Sequence, residues 1–200
     1  MKKSETTRQL IIEEAAKIFN VKGYSGASIS DVMASTGLKK GGIYNHFANK
    51  EELTVEAFNH AFDRMQRQFV EVLTDGRPPL EQLTAFVEVF RSFINKPPIK
   101  GGCPILNSSV EVDDQEGLLA VAVKKAARSW EVIIQRKIEE AITLGDISGR
   151  VNSRKQAVIM ISALEGAILL AKLHKDAYYL QVAADHQIDL IRQMKTEATA

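Results

Sequence analysis

Helical spacing of apolar residues runs through most of this 200-residue chain and limits its fold more than any other feature. After residue 50, Phe58, Phe62, Met65 and Phe69 recur at i, i+4, i+7 and i+11, which places all four on one face of a long helix. Breaks rich in Pro and Gly separate further segments with similar spacing. The pattern predicts an all-α protein. The helices expected beyond residue 50 cover about 50–73, 79–95, 103–111, 117–144, 153–174 and 177–196.

Two short helices are predicted close together near the amino terminus. Ser28 is a typical N-cap residue with an acid, Asp31, three residues later, and Gly37 is suited to end a helix. A second helix begins within three residues of Gly37, and Leu38 and Ile43 are available to pack between the two. This spacing is that of a helix-turn-helix, whose second helix lies in the major groove of DNA.

A third helix is predicted upstream, over about 6–21. Its apolar residues form a wide stripe, Ile11, Ala15 and Ile18 in one row and Ile12, Ala16 and Phe19 in the next. The stripe stops at residues 23–26, where two glycines permit a change of direction. Three small helices bury little surface alone, so the later part of the chain must support them.

Residues 39–50 carry the groups expected to contact DNA. A cation, an aromatic hydroxyl, an amide and an imidazole follow one another on the exposed face of the second short helix, and such groups bind DNA phosphates and base edges. Alternatively, Tyr44 and Phe47 are both core aromatics and His46 satisfies a local backbone group. The glycines at 41 and 42 weaken a helix but let its backbone approach DNA closely.

Charge is distributed unevenly along the chain. Residues 1–50 contain eight Lys or Arg and four Asp or Glu, whereas the whole chain has a net charge of only +1. The attractive field for a polyanion therefore lies at the amino-terminal end, and DNA binding should weaken steeply with salt. The small net charge argues against a protein that coats DNA everywhere.

Several spaced motifs in the first 60 residues resemble the amino-terminal module of the tetracycline-repressor (TetR) family of bacterial transcriptional regulators. They are Ala15-Ala16, Phe19, Gly23-Tyr24, Ser28, the run Lys40-Gly41-Gly42-Ile43-Tyr44-Asn45-His46-Phe47 and the helix start Lys50-Glu51-Glu52-Leu53. Lys39 departs from the family pattern, which often has a Ser or Thr cap there; it adds charge but removes a capping oxygen.

The resemblance implies both an architecture and a DNA-binding site. It implies a three-helix DNA-binding domain over 1–50 and a helical domain for effector binding and dimerisation over 51–200. Lys40, Tyr44, His46 and Lys50 would hold the DNA backbone, with Ser30, Gly42 and Asn45 facing bases. The complete predicted set of DNA-binding residues is Ser28, Ser30, Lys39, Lys40, Gly42, Tyr44, Asn45, His46 and Lys50.

The predicted helix over 153–174 is apolar nearly all round, and between residues 158 and 171 its only strongly polar residues are Ser162 and Glu165. We exclude a membrane span because the apolar run is shorter than the ~20 residues a span requires and contains Glu165. Such a helix must still be covered on every side.

A second subunit is the expected cover for the free face of this helix. Gly166, with Ala163 and Ala167, permits close approach of a partner helix, and the last helix offers a row at matching spacing. That row comprises Leu180, Ala184, Ile188, Ile191 and Met194 or Lys195. We predict a homodimer through the last two helices, as a helix-turn-helix needs to span a palindromic operator.

The effector is expected to be a small, hydrophobic or planar molecule. Candidate pocket residues are Phe62, Met65, Phe86, Phe90, Cys103, Leu106, Asn107 and Trp130. The alternative for each is an ordinary place in the core, because an apolar stripe is first of all a packing surface.

Cys103, the single cysteine, admits two interpretations. It lies at a predicted helix start near Lys100, where a thiolate would be stabilised and reactive, or it is a small buried hydrophobe. For the whole protein, the motifs, the charge distribution and the predicted dimer together favour a ligand-responsive dimeric repressor that a small-molecule effector releases from a palindromic operator. A repressor sensing oxidants or electrophiles through Cys103 is the alternative.

No catalytic constellation is evident. The four histidines and the dispersed acids form no nucleophile–base pair, phosphate loop or metal-ligand spacing, so we expect no enzymatic activity, no metal and no cofactor. Residues 1–5 do not resemble a signal peptide, and a single cysteine suits a reducing compartment, which predicts a cytoplasmic protein.

Overall fold

Helices account for nearly all of the secondary structure in the computed structural model, which describes residues 3–195. That part of the chain contains no strand, as predicted; a single β-bridge joins Ile147 to Lys195. The helices are α1 Lys3–Lys22, α2 Ile29–Thr36, α3 Lys40–Tyr44, α4 Lys50–Leu73, α5 Pro79–Ser92, α6 Pro104–Val112, α7 Leu118–Thr143, α8 Ser153–His174 and α9 Tyr178–Met194.

The described residues group into two compact units. The first contains the chain up to residue 65 together with 97–126, and the second contains 66–96 together with the chain from 127 onward. Helices α4 and α7 each contribute to both units. In the first unit, α6 and the beginning of α4 accompany the three amino-terminal helices. The functional division into 1–50 and 51–200 stays a prediction.

The core of the first unit is built on the predicted stripe of α1. Ile11, Ala15 and Phe19 are fully buried, and α1 packs against α2 and α6. Tyr24, in the turn after α1, lies between two phenylalanines, with its ring centroid 5.7 Å from that of Phe19 and 6.4 Å from that of Phe58. The amino-terminal helices are thus supported by residues from α4 and α6, as their small size requires.

Five aromatic side chains form the centre of the second unit. The ring centroid of Phe69 lies 4.7 Å from that of Phe86 and 4.9 Å from those of Phe90 and Trp130, with Phe93 at 5.7 Å. All five are buried. Tilted and edge-to-face pairs at these distances are favourable arrangements for aromatic rings.

The row on α9 that we expected at the dimer interface is buried within the second unit instead. Leu180, Ala184, Ile188 and Ile191 are all buried, and α9 packs against α5 and α8. That part of the prediction was wrong because spacing alone identifies an apolar face without saying which partner covers it.

Helix α8 has the predicted bounds, but our length argument against a membrane span was wrong. The helix has 22 residues, and an 18-residue window within it has a mean hydropathy of 1.7, so by length and composition alone the helix passes as a span. A core helix of a soluble protein meets the same criterion of length and hydropathy. Only 33% of its apolar window is buried within the chain. The exposed apolar residues of α8 and α9 are Val158, Ile159, Leu169, Leu170, Leu173, Tyr178 and Val182.

Candidate nucleic-acid interface

Helix α2 is capped at both ends by its own sequence. Ser28 is the N-cap; its Oγ accepts a hydrogen bond from Asp31 N at 3.2 Å, while Asp31 Oδ2 accepts one from Ser28 N at 2.8 Å. At the other end Gly37 has φ +71° and donates its N–H to Met33 O. Both features agree with the predicted start and end of the helix.

Asp31 also carries an ion pair to the end of α1. Lys22 Nζ lies 2.5 Å from Asp31 Oδ1. This ammonium, together with the hydrogen bonds from Ser28, holds the pKa of the Asp31 carboxyl well below its usual range. The carboxylate therefore joins α1 to the first helix of the helix-turn-helix.

Helix α3 turns its apolar side inward and its polar side to solvent. Ile43 is fully buried and Phe47 is 2% exposed, whereas Tyr44 is 37% exposed. Phe47 is therefore a core aromatic and Tyr44 is not. Lys40 Nζ lies 5.9 Å from the centroid of the Tyr44 ring, so the two predicted phosphate-binding groups are neighbours.

The start of α3 has no side-chain cap. Lys39 occupies the N-cap position with extended backbone and makes no capping hydrogen bond through its side chain, as expected from the absence of a Ser or Thr. The helix ends at Tyr44, earlier than the polar pattern indicated. Asn45 is its exposed C-cap, and half-buried His46 donates its backbone N–H to Ile43 O.

The remaining predicted residues also belong to the first unit. Ser28 and Ser30 are exposed at the start of α2, Gly42 is half-buried in α3, and half-buried Lys50 is the first residue of α4. The predicted DNA-binding residues therefore lie on or next to α2, α3 and the first turn of α4. Whether these residues contact DNA stays a prediction.

Two positioning features escaped our sequence analysis. Asn49 Oδ1 accepts a hydrogen bond from Glu52 N at 2.8 Å, and Glu52 Oε2 accepts one from Ala48 N at 2.6 Å, which fixes the start of α4 beside Lys50. An Asn followed three residues later by Glu was the available signal. Arg8 also lies 4.9 Å from the centroid of the Phe47 ring and pairs with Glu56; no sequence motif marks this contact.

The lysines of this unit differ in their electrostatic partners. Lys17 and Lys22 on α1 form ion pairs with Glu14 and Asp31. Over residues 3–195, by contrast, no ion pair involves the cations at the predicted DNA-binding positions, which are Lys39, Lys40 and Lys50. Their charge is available to an external anion such as a DNA phosphate.

The predicted effector residues are divided between the two units. Those in the first are Phe62, Met65, Cys103, Leu106 and Asn107, and those in the second are Phe86, Phe90 and Trp130. A surface cleft of about 540 Å³ beside α5 and another of about 400 Å³ beside Tyr24 and Lys50 are lined by other residues. The pocket stays a prediction.

The structure does not support the redox alternative at Cys103. The side chain is fully buried, and its Sγ accepts a hydrogen bond from Leu106 N at 3.5 Å as the N-cap of α6. A reactive thiol must be accessible to its oxidant. The interpretation of Cys103 as a small buried residue fits the structure. No group of three potential metal ligands occurs among residues 3–195.

Capped α2, followed after a short turn by α3 with its exposed polar residues, defines a helix-turn-helix protein. Residues 11–57 match the model of the bacterial regulatory proteins of the tetR family, and residues 79–187 match the tetracyclin repressor-like C-terminal domain. The chain belongs to the TetR family of DNA-binding transcriptional regulators, whose members dimerise through the C-terminal domain.

The similarity to individual relatives extends over most of the chain. A TetR transcriptional regulator from Chloroflexus aurantiacus has 38% sequence identity and a TM-score of 0.94, covering 99% of this chain and 100% of its own. One from Cytophaga hutchinsonii has 31% identity and a TM-score of 0.90, covering 99% of both chains. The repressor DhaR of Mycobacterium sp. is 27% identical over 170 residues, or 84% of each chain.

Proposed function

We propose that this protein is a dimeric repressor that binds a palindromic operator and is released from it by a small-molecule effector. The observation that carries the proposal is the exposed face of α3. Its Tyr44 and Lys40 project away from buried Ile43, and no ion pair of the described residues occupies the lysines around them. Repression is also the activity in the name of the relative DhaR.

Within this proposal, one set of residues contacts DNA phosphates and another set contacts base edges. Lys40, Tyr44, His46 and Lys50 bind phosphates, because ammonium, phenol and imidazole groups donate hydrogen bonds to anionic oxygens. Ser30, Gly42 and Asn45 face base edges, and the amide of Asn45 suits the bidentate pattern of adenine. Ser28 and Lys39 lie beside the two sets and add a hydroxyl and a charge.

The dimer is formed by the exposed apolar surface of α8 and α9. Leu173 on α8 and Tyr178 on α9 are 70% and 65% exposed. A Cβ at Gly166 on α8 would meet no atom within 4 Å, so a partner helix can approach closely there. Large apolar side chains exposed on neighbouring helices are typical of a protein–protein interface. Two subunits so joined present two copies of α3 to the halves of a palindrome. Such a protein acts in the cytoplasm, where the chromosome lies.

An effector releases the DNA by changing the separation of the two recognition helices. Helix α4 begins at Lys50 and extends through both compact units, so a tilt of this helix moves a DNA-contacting residue. A ligand shifts this equilibrium only by its difference in affinity for the two conformations. Phe62 and Met65, on the same helix, remain candidates to contact a hydrophobic effector.

The experiment that tests the proposal is selection of bound sequences from random duplex DNA. We expect wild-type protein to enrich a palindrome and Tyr44→Ala to lose that enrichment. Lys40→Ala should weaken the enrichment, and Lys124→Ala is its matched control, because Lys124 is exposed on α7 and far in sequence from the interface. Sedimentation of each variant checks that it remains dimeric.

Two results would overturn the proposal. One is the absence of any enriched sequence from soluble, dimeric wild-type protein. The other is a Tyr44→Ala variant that enriches the same palindrome with wild-type affinity. An enriched sequence without two-fold symmetry would retain DNA binding but refute the palindromic operator.

A further inference from the structure

A surface cleft of about 400 Å³ lies at the beginning of α4, within the first unit. Its walls come from the turn after α1, the end of α6, the first turns of α4 and α7, and the loop that joins α6 to α7. None of the predicted effector residues lines this cleft. It is therefore a different site from the pocket that the sequence predicts.

Helix α4 begins at the cleft with two unbonded backbone donors. Asn49 Oδ1 accepts a hydrogen bond from Glu52 N at 2.8 Å, but Lys50 N and Glu51 N donate none within the described part of the chain. Unbonded N–H groups give the start of a helix a partial positive charge that attracts anions. The side chain of Lys50 adds a full positive charge at the same place.

Helix α7 begins at the same cleft and has no side-chain cap. Gly117 directly precedes the helix, and its O accepts a hydrogen bond from Val121 N at 3.1 Å, but a glycine has no side chain to bind the first N–H groups. Leu119 N and Ala120 N donate no hydrogen bond to any residue that the structure describes. Two helix starts with free donors thus line one cleft, a favourable arrangement for an anionic group.

Thr54 points independently to a ligand. The residue is 7% exposed and lines the cleft, and its hydroxyl forms no hydrogen bond with the described residues. Thr74 Oγ1 and Thr84 Oγ1, by contrast, each donate to the carbonyl four residues earlier in the chain, at 2.8 and 2.9 Å. Buried polar groups nearly always have a hydrogen-bond partner, so the hydroxyl of Thr54 is available to a partner from outside the chain.

The rest of the cleft is acidic on one side and apolar on another. Glu51 and Glu116 are exposed at the cleft, and neither forms an ion pair with a described residue. Val112, Leu119 and Ala120 supply apolar surface. Two carboxylates repel a simple anion, whereas a zwitterion finds a partner for each of its charges.

We propose that this cleft binds a small aliphatic α-amino acid, which competes with DNA for Lys50. The carboxylate accepts hydrogen bonds from Lys50, from Thr54 and from the free N–H groups of the helix starts. The ammonium group lies beside Glu51 and Glu116, and the aliphatic side chain contacts the apolar wall. The inference rests on the proposed function, because a Lys50 side chain that binds this carboxylate is not available to a DNA phosphate.

The first test is calorimetric titration of the dimer with leucine, in the absence of DNA. Two analogues separate the charges: 4-methylpentanoate lacks the ammonium group, and 3-methylbutylamine lacks the carboxylate. We expect each to bind at least about tenfold more weakly than leucine, because each leaves one set of charged partners unpaired.

Thr54→Val removes the hydroxyl with little change of shape. Since this hydroxyl has no partner among the described residues, the variant should unfold at the wild-type temperature or above. Its dissociation constant for leucine should nevertheless rise at least about tenfold. Thr84→Val is the matched control, because it removes a hydroxyl from α5, outside the cleft, and should bind leucine like wild type.

Glu116→Gln tests the acidic side of the cleft. It should weaken binding of leucine but not of 4-methylpentanoate, because only leucine carries an ammonium group. Asp114→Asn is its control, since Asp114 is exposed in the same loop but does not line the cleft.

Competition with DNA is measured by anisotropy on the operator selected above. Saturating leucine should lower operator affinity and reduce the slope of log affinity against log salt concentration by about 1, as the loss of one phosphate contact does. Lys50→Ala should show the reduced slope without leucine, and leucine should then have no further effect.

Three results would overturn the inference. They are the absence of binding by leucine, isoleucine and valine at millimolar concentration, equal affinity for leucine and 4-methylpentanoate, and wild-type affinity for leucine in folded Thr54→Val. Leucine that binds without changing operator affinity would refute the competition for Lys50. Failure of the proposed function is distinct, since wild-type protein would then select no operator while calorimetry still detected leucine.

Discussion

Ser28 and Asp31 cap α2 reciprocally, each accepting a hydrogen bond from the backbone N–H of the other. The two residues are three apart, so the motif forms without help from distant parts of the chain. Lys22 adds an ion pair to Asp31 from the end of α1. This small cluster determines where the first helix of the helix-turn-helix begins, and it can be tested by stability alone.

Ser28→Ala should lower the free energy of unfolding by about 1 kcal/mol, because it leaves the N–H of Asp31 without its side-chain acceptor. Chemical denaturation at neutral pH measures the change. Ser30→Ala is the control, since Ser30 is exposed in the same helix turn and is not the N-cap. Equal stability of the two variants would contradict the capping role.

The stabilising effect of Asp31 should depend on pH. Its pKa is lowered in the folded protein from an ordinary value of 3.8, chiefly by Lys22 and Ser28. A lowered pKa means that the carboxylate stabilises the fold above the unfolded value and that this stabilisation is lost as pH falls through the folded value. The stability difference between wild type and Asp31→Asn should therefore be constant near neutrality and shrink below about pH 4.

That difference is best measured by chemical denaturation at several pH values between neutral and acidic. Subtracting the variant from wild type cancels the titration of other carboxylates. A difference that stays constant down to the most acidic pH at which both proteins fold would contradict the lowered pKa.

Lys40→Ala should weaken DNA binding and its dependence on salt together. Removing one phosphate contact is expected to reduce the slope of log affinity against log salt concentration by about 1. Anisotropy titrations at several salt concentrations measure this slope. Lys124→Ala should leave it unchanged, and an equal effect of both substitutions would show that only net charge matters.

Gly41→Ala and Gly42→Ala should separate stability from DNA binding. A Cβ at residue 41 meets no atom within 4 Å, and one at residue 42 lies 3.6 Å from Leu38 Cβ, an ordinary contact. Neither substitution should destabilise the fold, and each can stabilise it by up to about 1 kcal/mol because Ala favours a helix. Operator affinity should nevertheless fall for Gly42→Ala if the backbone approaches bases closely.

Thermal unfolding measures the stability of the two glycine variants, and titration with operator DNA measures their affinity. A stable Gly42→Ala variant with unchanged operator affinity would remove Gly42 from the interface. A destabilised variant would instead mean that the glycine serves the fold.

Leu173→Glu should dissociate the dimer. Leu173 is 70% exposed on α8, and burying a carboxylate in an apolar interface costs about 3 kcal/mol or more, which raises the dissociation constant by at least about 100-fold. Leu144→Glu is the matched control, because Leu144 is 63% exposed just after α7. Sedimentation velocity at several concentrations distinguishes them. A dimeric Leu173→Glu protein would place the interface elsewhere.

Much of the fold follows from local features. The ends of α2 were predictable from Ser28 and Gly37, because caps act over three or four residues. The bounds of α8 follow from its composition between two breaks. For the predicted interface, the pattern around Tyr44 identified the polar segment, but it overestimated the length of α3, which ends at Tyr44.

The sequence by itself determined the all-α class, the helix-turn-helix and its capping, because each depends on residues close together in the chain. Only the tertiary structure decided which apolar face of α9 is internal and that Cys103 is buried. It also decided that Glu111 binds the turn at Tyr24, across 87 residues of sequence. Such contacts leave no periodic signal, since an exposed Glu and one that accepts two backbone N–H groups have the same place in a helical pattern.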